Sequence, residues 1–359
     1  MGKIFTFIVV TTIILILIFI AIRDNFNLNK IITDLEKQTN LTFTLNNESK
    51  WNYYPLIKFN NNITINDKAD FFIINNADID ISKNYWPTSP IKIELISPSI
   101  NVEGIQLSNA IIKSSYKNKN ISFEEISSNL IDGNINAQGK INIENEMPFE
   151  IHGSFKNISL NLLMNQTKIA TWDRVNIKIS SPNFNLSGTS NKNRNFQKNR
   201  KGNVPINGSI FFVSTEEERF GAALLSLLVD KFPDLSSISN SINFLLTKFS
   251  NLPSSVNGTL IINDGYISTQ DMLIQNSQGR TSLTAALNIE TGIINGKINF
   301  YEDEEIYLEA ILKGDIRNPQ ILVRGKIIDE ENSDTPQDIK KLFEDGINSL
   351  VDKLLKAND

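Results

Sequence analysis

Few residues of this 359-residue chain could carry bond chemistry. There is one histidine, His152, and no cysteine. A Ser-His-Asp triad would have to use His152, and thiol nucleophiles, disulfides, Cys-ligated metals and multi-His metal sites are excluded. His152 lies in the strand-like run Phe149-Glu150-Ile151-His152-Gly153-Ser154, without a recognisable nucleophile or orienting acid, and reads as a half-exposed strand residue. The group Glu302-Asp303-Glu304-Glu305 lacks the Asp/Asn-Gly spacing of a calcium loop and reads as a hairpin turn. No acidic pair stands out as the two carboxylates of a glycosidase. The basic run Lys192, Arg194, Lys198, Arg200 and Lys201 reads first as a solvated loop and second as a contact for anionic headgroups. The expectation is a protein that is not an enzyme, with no metal and no cofactor.

Composition narrows the partners. Thirty-five basic residues against 40 acidic ones give a net charge of −5, which argues against nucleic acid. Residues 300–359 hold 15 acidic and 8 basic residues, so the acidic excess is local to the C-terminal end. Asn fills roughly one position in seven, far above its usual share, and Ile is similarly heavy.

The elements that must position any site begin with a membrane segment. Ile4 to Ile22 is free of charge, Pro and Gly, and spans roughly 28 Å as a helix, enough for the hydrocarbon core. Ile4, Phe7, Ile14, Leu17 and Ile20 belong to this expected anchor, residues 1–24. The run is longer than a signal-peptide core and lacks a small-x-small cleavage site. One lysine before it and a long polar body after it place the N-terminus in the cytoplasm. Residues 25–40 read as a short helix or stalk.

From Leu41 the apolar period becomes two, as in Leu41-Thr42-Phe43-Thr44-Leu45 and Ile91-Lys92-Ile93-Glu94-Leu95. Ile100-Asn101-Val102, Val175 to Ile179 and Phe184-Asn185-Leu186 continue it. Such runs between Gly, Pro and Asn turns mark strands with one apolar face. An N-terminal β region is expected over 41–190, a basic loop over 191–203 and a second β region over 204–328. Helices are expected near 216–231 and 235–249, and an amphipathic one over 335–357. Two aromatic clusters, Trp51 to Pro55 and Tyr85-Trp86-Pro87, read first as caps or core packing at a sheet end and second as membrane-interface anchors.

From Ser255 onward the sequence resembles the AsmA family of bacterial envelope proteins. The likeness lies in an ordered set of elements. It begins with the strand, turn and strand of Val256 to Ile267 through Asp264-Gly265. A turn at Gly279, the strand Leu283 to Ile289 and the Gly292 to Gly296 hairpin follow, leading into Lys297 to Tyr301. Leu312-Lys313-Gly314 to Pro319 then closes on Gln320 to Val323. Trp51 to Phe59 and Ile63-Thr64-Ile65 resemble the family's N-terminal pattern.

The resemblance implies an inner-membrane anchor, a periplasmic body and kinship with bridge-like lipid-transfer proteins. In these a long curled antiparallel β-sheet forms an open groove for acyl chains. The expected partners are phospholipid, the inner membrane and an outer-membrane or periplasmic protein, and the expected role is lipid transport to, or homeostasis of, the outer membrane. The alternative is a non-enzymatic scaffold or assembly factor for outer-membrane proteins. Spacing alone favours a closed sandwich or barrel; the resemblance favours the groove. Its expected lining is Leu260, Ile262, Leu283, Leu287, Ile289, Ile298, Phe300, Leu308 and Ile311, with the inward parity left open because a one-residue slip reverses it.

Overall fold

A computed structural model describes residues 41–46, 50–52, 56–67, 72–84, 86, 88–102, 104–143, 147–167, 175–189, 199–214, 243–244, 246–302, 304–316 and 320–325. The expected anchor and stalk, the loop residues 191–198, the expected helices up to residue 242 and the C-terminal amphipathic helix lie outside the described residues. Among the described residues no helix is long and apolar enough to cross a membrane.

The chain is mainly β and divides into two units. Unit 1 comprises residues 1–172, 178–206 and 260–265, and unit 2 comprises 173–177, 207–259 and 266–359. The pairings described within unit 2 do not close its sheet into a barrel.

Unit 1 is an antiparallel meander. Its strands are β1 (Leu41–Leu45), β2 (Lys50–Asn52), β3 (Ile57–Asp67), β4 (Phe72–Lys83), β5 (Ile91–Val102), β6 (Ile105–Lys117), β7 (Asn120–Leu130), β8 (Gly133–Asn142) and β9 (Phe149–Ser159), then most of β10 (Val175–Gly188) and the start of β11 (Arg200–Phe212). β1 and β2 both pair with β3, against Ile63–Asp67 and Lys58–Asn60 respectively. From β3 to β10 each described strand pairs with the next.

One face of this meander is apolar because Ile, Leu and Phe recur at its inward positions. The register aligns Ile79, Leu95, Ile112, Ile126, Ala137, Gly153 and Phe184 in one row across seven strands. A neighbouring row runs Phe59, Ile81, Ile93, Ser114, Phe123, Gly139, Ile151 and Leu186. Each fully buried Ile or Phe contributes about 1.5–3 kcal/mol of transfer free energy. At Gly153 the ring of Phe184 crosses the backbone, and a Cβ there would sit 2.8 Å from Phe184 Cζ.

Register shifts keep that face inward over long strands. In β6 the buried set moves from Leu107 to Ala110 and Ile112, across a shift between Ser108 and Ile111. In β4 it moves from Ile74 to Ala77, and in β9 from Phe155 to Ile158. Each bulge adds one residue and increases local bend and twist. Asn76, Asn109 and Asn157 stand at these places with φ of 48°, 51° and 55°. Asn tolerates this left-handed conformation better than other L side chains, so part of the Asn excess has a structural use.

A short helix, α1 (Leu160–Thr167), follows β9 and packs against β6 and β9. Buried Ser159 occupies its N-cap position.

Unit 2 includes the remainder of β11, the first part of β12 (Ser254–Asn263) and the meander β13 (Tyr266–Gln275), β14 (Arg280–Asn288), β15 (Ile293–Glu302), β16 (Glu305–Asp315) and β17 (Gln320–Gly325). The described residues between 243 and 249 are helical and precede β12.

The structure merges runs that look separate in sequence. Ile91–Leu95 and Ile100–Val102 are halves of β5, and Val175–Ile179 and Phe184–Leu186 are halves of β10. Arg200 to Asn203, expected in the basic loop, belong to β11.

Candidate functional site

The inward faces of the two units are the candidate sites. In unit 2 the inward parity is set by register: Leu283 pairs with Met272 and Ile298, Leu287 with Ile294, and Phe300 with Thr281 and Leu308. Ala285 and Gly296 pair in the row between them. This face therefore holds small residues in its middle, and a Cβ on Gly296 would lie 2.8 Å from Ala285 Cβ. Leu283, Leu287, Ile294 and Ile298 are half-buried, whereas Leu308 and Met272 are buried.

Aromatic side chains cover one end of that face. Phe244 stacks on Tyr307 at 4.6 Å between centroids, and Phe249 meets Phe300 edge-on at 5.6 Å. Phe249 rests on the Gly279 turn, where a Cβ would be 2.8 Å from its Cζ. Asn276 fastens the same corner by donating from Nδ2 to the Lys248 carbonyl and to Ser254 Oγ.

Five of the expected lining residues, Leu283, Leu287, Ile298, Phe300 and Leu308, share this one face. Ile311 does not: it pairs with Lys297 on the opposite face. Leu308 and Ile311 are three residues apart with no bulge between them, so a regular strand turns them to opposite sides. Ile289 lies half-buried in the turn after β14. Leu260 and Ile262 are half-buried on β12, and Ile262 Cδ1 approaches the Cβ position of Gly202 at 3.5 Å. The inward Ile294, Ala310 and Leu312 were not among the expected lining; pairing outward from Leu283 would have found them.

Unit 1 is more tightly filled. Its inward face leaves an apolar cavity of about 80 Å³ bounded by Ile100, Ile112, Ile126, Ala137 and Phe184. Small-molecule pockets are roughly 300–1,000 Å³, so this one admits no whole lipid as it stands.

At one strand end of unit 1 an open cleft of about 620 Å³ is lined by Ile141, Phe149, Gly188, Lys140, Lys201 and Asp264, with Glu150 and several Asn side chains around them. Ile141 and Phe149 are a register pair of the inward face, so the apolar surface continues to the floor of this cleft. Lys140 donates to Glu150 across 2.9 Å, and this bond holds the Glu150 carboxyl below its ordinary value.

The outward face carries charge and amide ladders. Lys113 Nζ donates to Glu125 at 2.8 Å, and that bond lowers the Glu125 pKa and raises that of Lys113. Lys58 pairs with Asp80, and Lys297 with Glu309. Asn62 Nδ2 donates to Asp78 at 2.8 Å, while Asn46 donates to Asn62 at 2.7 Å. Among the described residues no three His, Cys, Asp or Glu side chains are grouped to hold a metal.

His152 is an exposed residue of β9 facing Gln138 and Asn185 across the ladders. Glu302 and Glu305 flank the β15–β16 turn, where Glu304 has φ 70°. Trp86 departs from the cap or core role expected of it: it is 77% exposed in the β4–β5 connection. Comparison of the chain with protein-family models, with curated proteins and with solved structures finds no match in any of the three.

Proposed function

We propose that this chain is an AsmA-like protein of the bacterial envelope, anchored in the inner membrane with its body in the periplasm. Its sheet curls into an open groove that holds phospholipid acyl chains against the inward apolar face. In this role it supports lipid transport to, or homeostasis of, the outer membrane, and it does so without bond chemistry.

The observation that carries the reading is the half-exposed apolar face of unit 2. Leu283, Leu287, Ile294 and Ile298 form a contiguous greasy surface on a sheet not closed into a barrel. Leaving such a surface in water forfeits about 25 cal/mol per Å², which an acyl chain would recover. The test is to purify the full chain in mild detergent, extract it and quantify phospholipid. Phospholipid is expected with the wild type and much less with Ile298→Asp; a wild-type chain that is always lipid-free overturns the proposal.

A specific observation favours a second reading. The inward residues of unit 1, such as Ile74, Ile81, Ile121 and Ile141, are buried, and the apolar cavity beside Ile112 and Phe184 is only about 80 Å³, as in a scaffold for outer-membrane protein assembly. That reading gains if Ile298→Asp loses lipid yet still restores outer-membrane protein levels in cells lacking the protein.

A further inference from the structure

Trp86 is 77% exposed, yet the turn that carries it is tightly built. The Ser89 N–H donates to the Trp86 carbonyl at 3.0 Å. Ser89 Oγ donates to the same carbonyl at 2.6 Å, with the Asn84 carbonyl 2.9 Å away. A bulky ring held in solvent by a fastened turn loses little conformational freedom on docking.

Neighbouring turns share that end of unit 1. In the register Ile57 faces Lys83, Lys83 faces Ile91 and Ile91 faces Tyr116. The β2–β3, β4–β5 and β6–β7 connections therefore emerge side by side. β6 and β7 are joined by a two-residue turn, Asn118 and Lys119, with φ of 48° and 63°. Lys92, Lys117 and Lys119 are exposed at this end. Residues 50–58, 83–92 and 116–120 contain no Asp, Glu or Arg, and every aromatic in them is Trp or Tyr. The next connection at this end, β8–β9, carries Glu144 and Glu146, so the basic region is confined to the first three turns.

We infer that this end of unit 1 docks on a lipid bilayer surface, with the Trp86 indole among the headgroups and Lys92, Lys117 and Lys119 against anionic lipid. Trp and Tyr concentrate at membrane interfaces, where the ring meets an apolar layer and its N–H or O–H stays hydrated. Each Lys near an anionic surface adds an attraction that falls off within a Debye length. The cation type separates a bilayer from a protein partner. Protein interfaces are enriched in Trp, Tyr and Arg and depleted in Lys, whereas the cations of these turns are all Lys. The contact uses no residue of unit 2 and does not require the groove to hold lipid.

The experiment uses the full chain reconstituted in phosphatidylcholine nanodiscs, so that the apolar segment Ile4 to Ile22 is already occupied. The chain has no cysteine, so Thr88→Cys, at an exposed position beside Trp86, takes a single environment-sensitive fluorophore. Vesicles of phosphatidylcholine, or of phosphatidylcholine with phosphatidylglycerol, are then added. The labelled chain is expected to bind the anionic vesicles with a blue shift, and less tightly as salt rises. Trp86→Ser should weaken binding to both vesicles about tenfold, and Trp86→Tyr should retain most of it. Lys117→Gln/Lys119→Gln should weaken binding to anionic vesicles about tenfold and leave neutral vesicles unaffected. Ile298→Asp should bind vesicles as wild type does, which keeps this contact and the groove separately testable. A wild-type chain that ignores both vesicles overturns the inference, as does a Trp86→Ser chain that binds them equally well. A blue shift on adding a periplasmic protein extract but on neither vesicle, lost in Trp86→Ser, overturns the bilayer in favour of a protein partner.

Discussion

In unit 1 the inward residues Ile74, Ala77 and Ile81 of β4 are 0% exposed; in unit 2 the inward Leu283, Leu287 and Ile298 remain half-buried. Both units are antiparallel meanders of alternating sequence, so strand pattern does not explain the contrast. Residue size does. Unit 1 places Ile, Leu or Phe at most inward positions, and its strands β3 to β7 run for 11 to 13 residues. Unit 2 places Thr281, Ala285, Gly296 and Ala310 inward on strands of 9 to 11 residues. Those small side chains cannot fill the space over the sheet, so apolar surface stays open beside them. One unit therefore covers its apolar face, and the other leaves part of that face exposed.

The sharpest way to break this comparison is to place a charge on each face. Ile81→Asp should destabilise the chain by about 3–5 kcal/mol, because it buries a carboxylate without a partner. Ile298→Asp should cost less than half of that, because the half-exposed site keeps contact with water. Denaturant unfolding of the full chain in detergent measures both; equal losses would end the distinction between a filled and an open face.

Removing the aromatic cover is the next largest change. Phe244→Ala should cost about 3 kcal/mol, at the low end for a buried ring, and should raise hydrogen exchange in β15 and β16 while leaving β4 to β7 protected. Exchange that rises equally in both units would mean they do not open independently.

Two glycines sharpen the contrast further. Gly153→Ala in unit 1 should cost about 1–3 kcal/mol through overpacking against Phe184 and the Asn136 carbonyl. Gly314→Ala in unit 2 meets nothing within 4 Å and is opposed only by its φ of +97°. It should cost about 1 kcal/mol. A thermal melt of each variant ranks them.

The smallest effect is electrostatic. Glu125 has a lowered pKa because it accepts from Lys113. A lowered acid contributes stability above its unfolded value and loses it as pH falls through the folded value. Melting temperature should therefore drop slightly more steeply with acidification in wild type than in Lys113→Gln. Parallel curves would show that this exposed pair adds nothing, as many surface pairs do.

Much of the fold was legible from residue order. Turns at Asp264-Gly265 and around Glu304 coincide with strand ends, and His152 stands on a strand as its run Phe149 to Ser154 predicts. The missed helix α1 carries a weak signal, Ser159 ahead of Leu160, Leu163 and Met164, which a strand-like run just before it masks. Strands β5 and β10 look like pairs of short runs because each crosses a bend where alternation changes phase. Of the candidate site, Leu283, Leu287, Ile298, Phe300 and Leu308 could be named from alternation, but Ile311 could not be told from them.

Sequence by itself determined the elements and the classes of chemistry: period-two apolar faces, turn positions, and a chain without thiols and with a single imidazole. Tertiary structure alone decided which parity faces inward, where a bulge reverses it, and how far each face is covered. The physical reason is that side-chain alternation is local and symmetric under a one-residue slip. Only the cross-strand partners, such as Leu283 with Ile298 and Gly153 with Phe184, break that symmetry and set the volume left over the sheet.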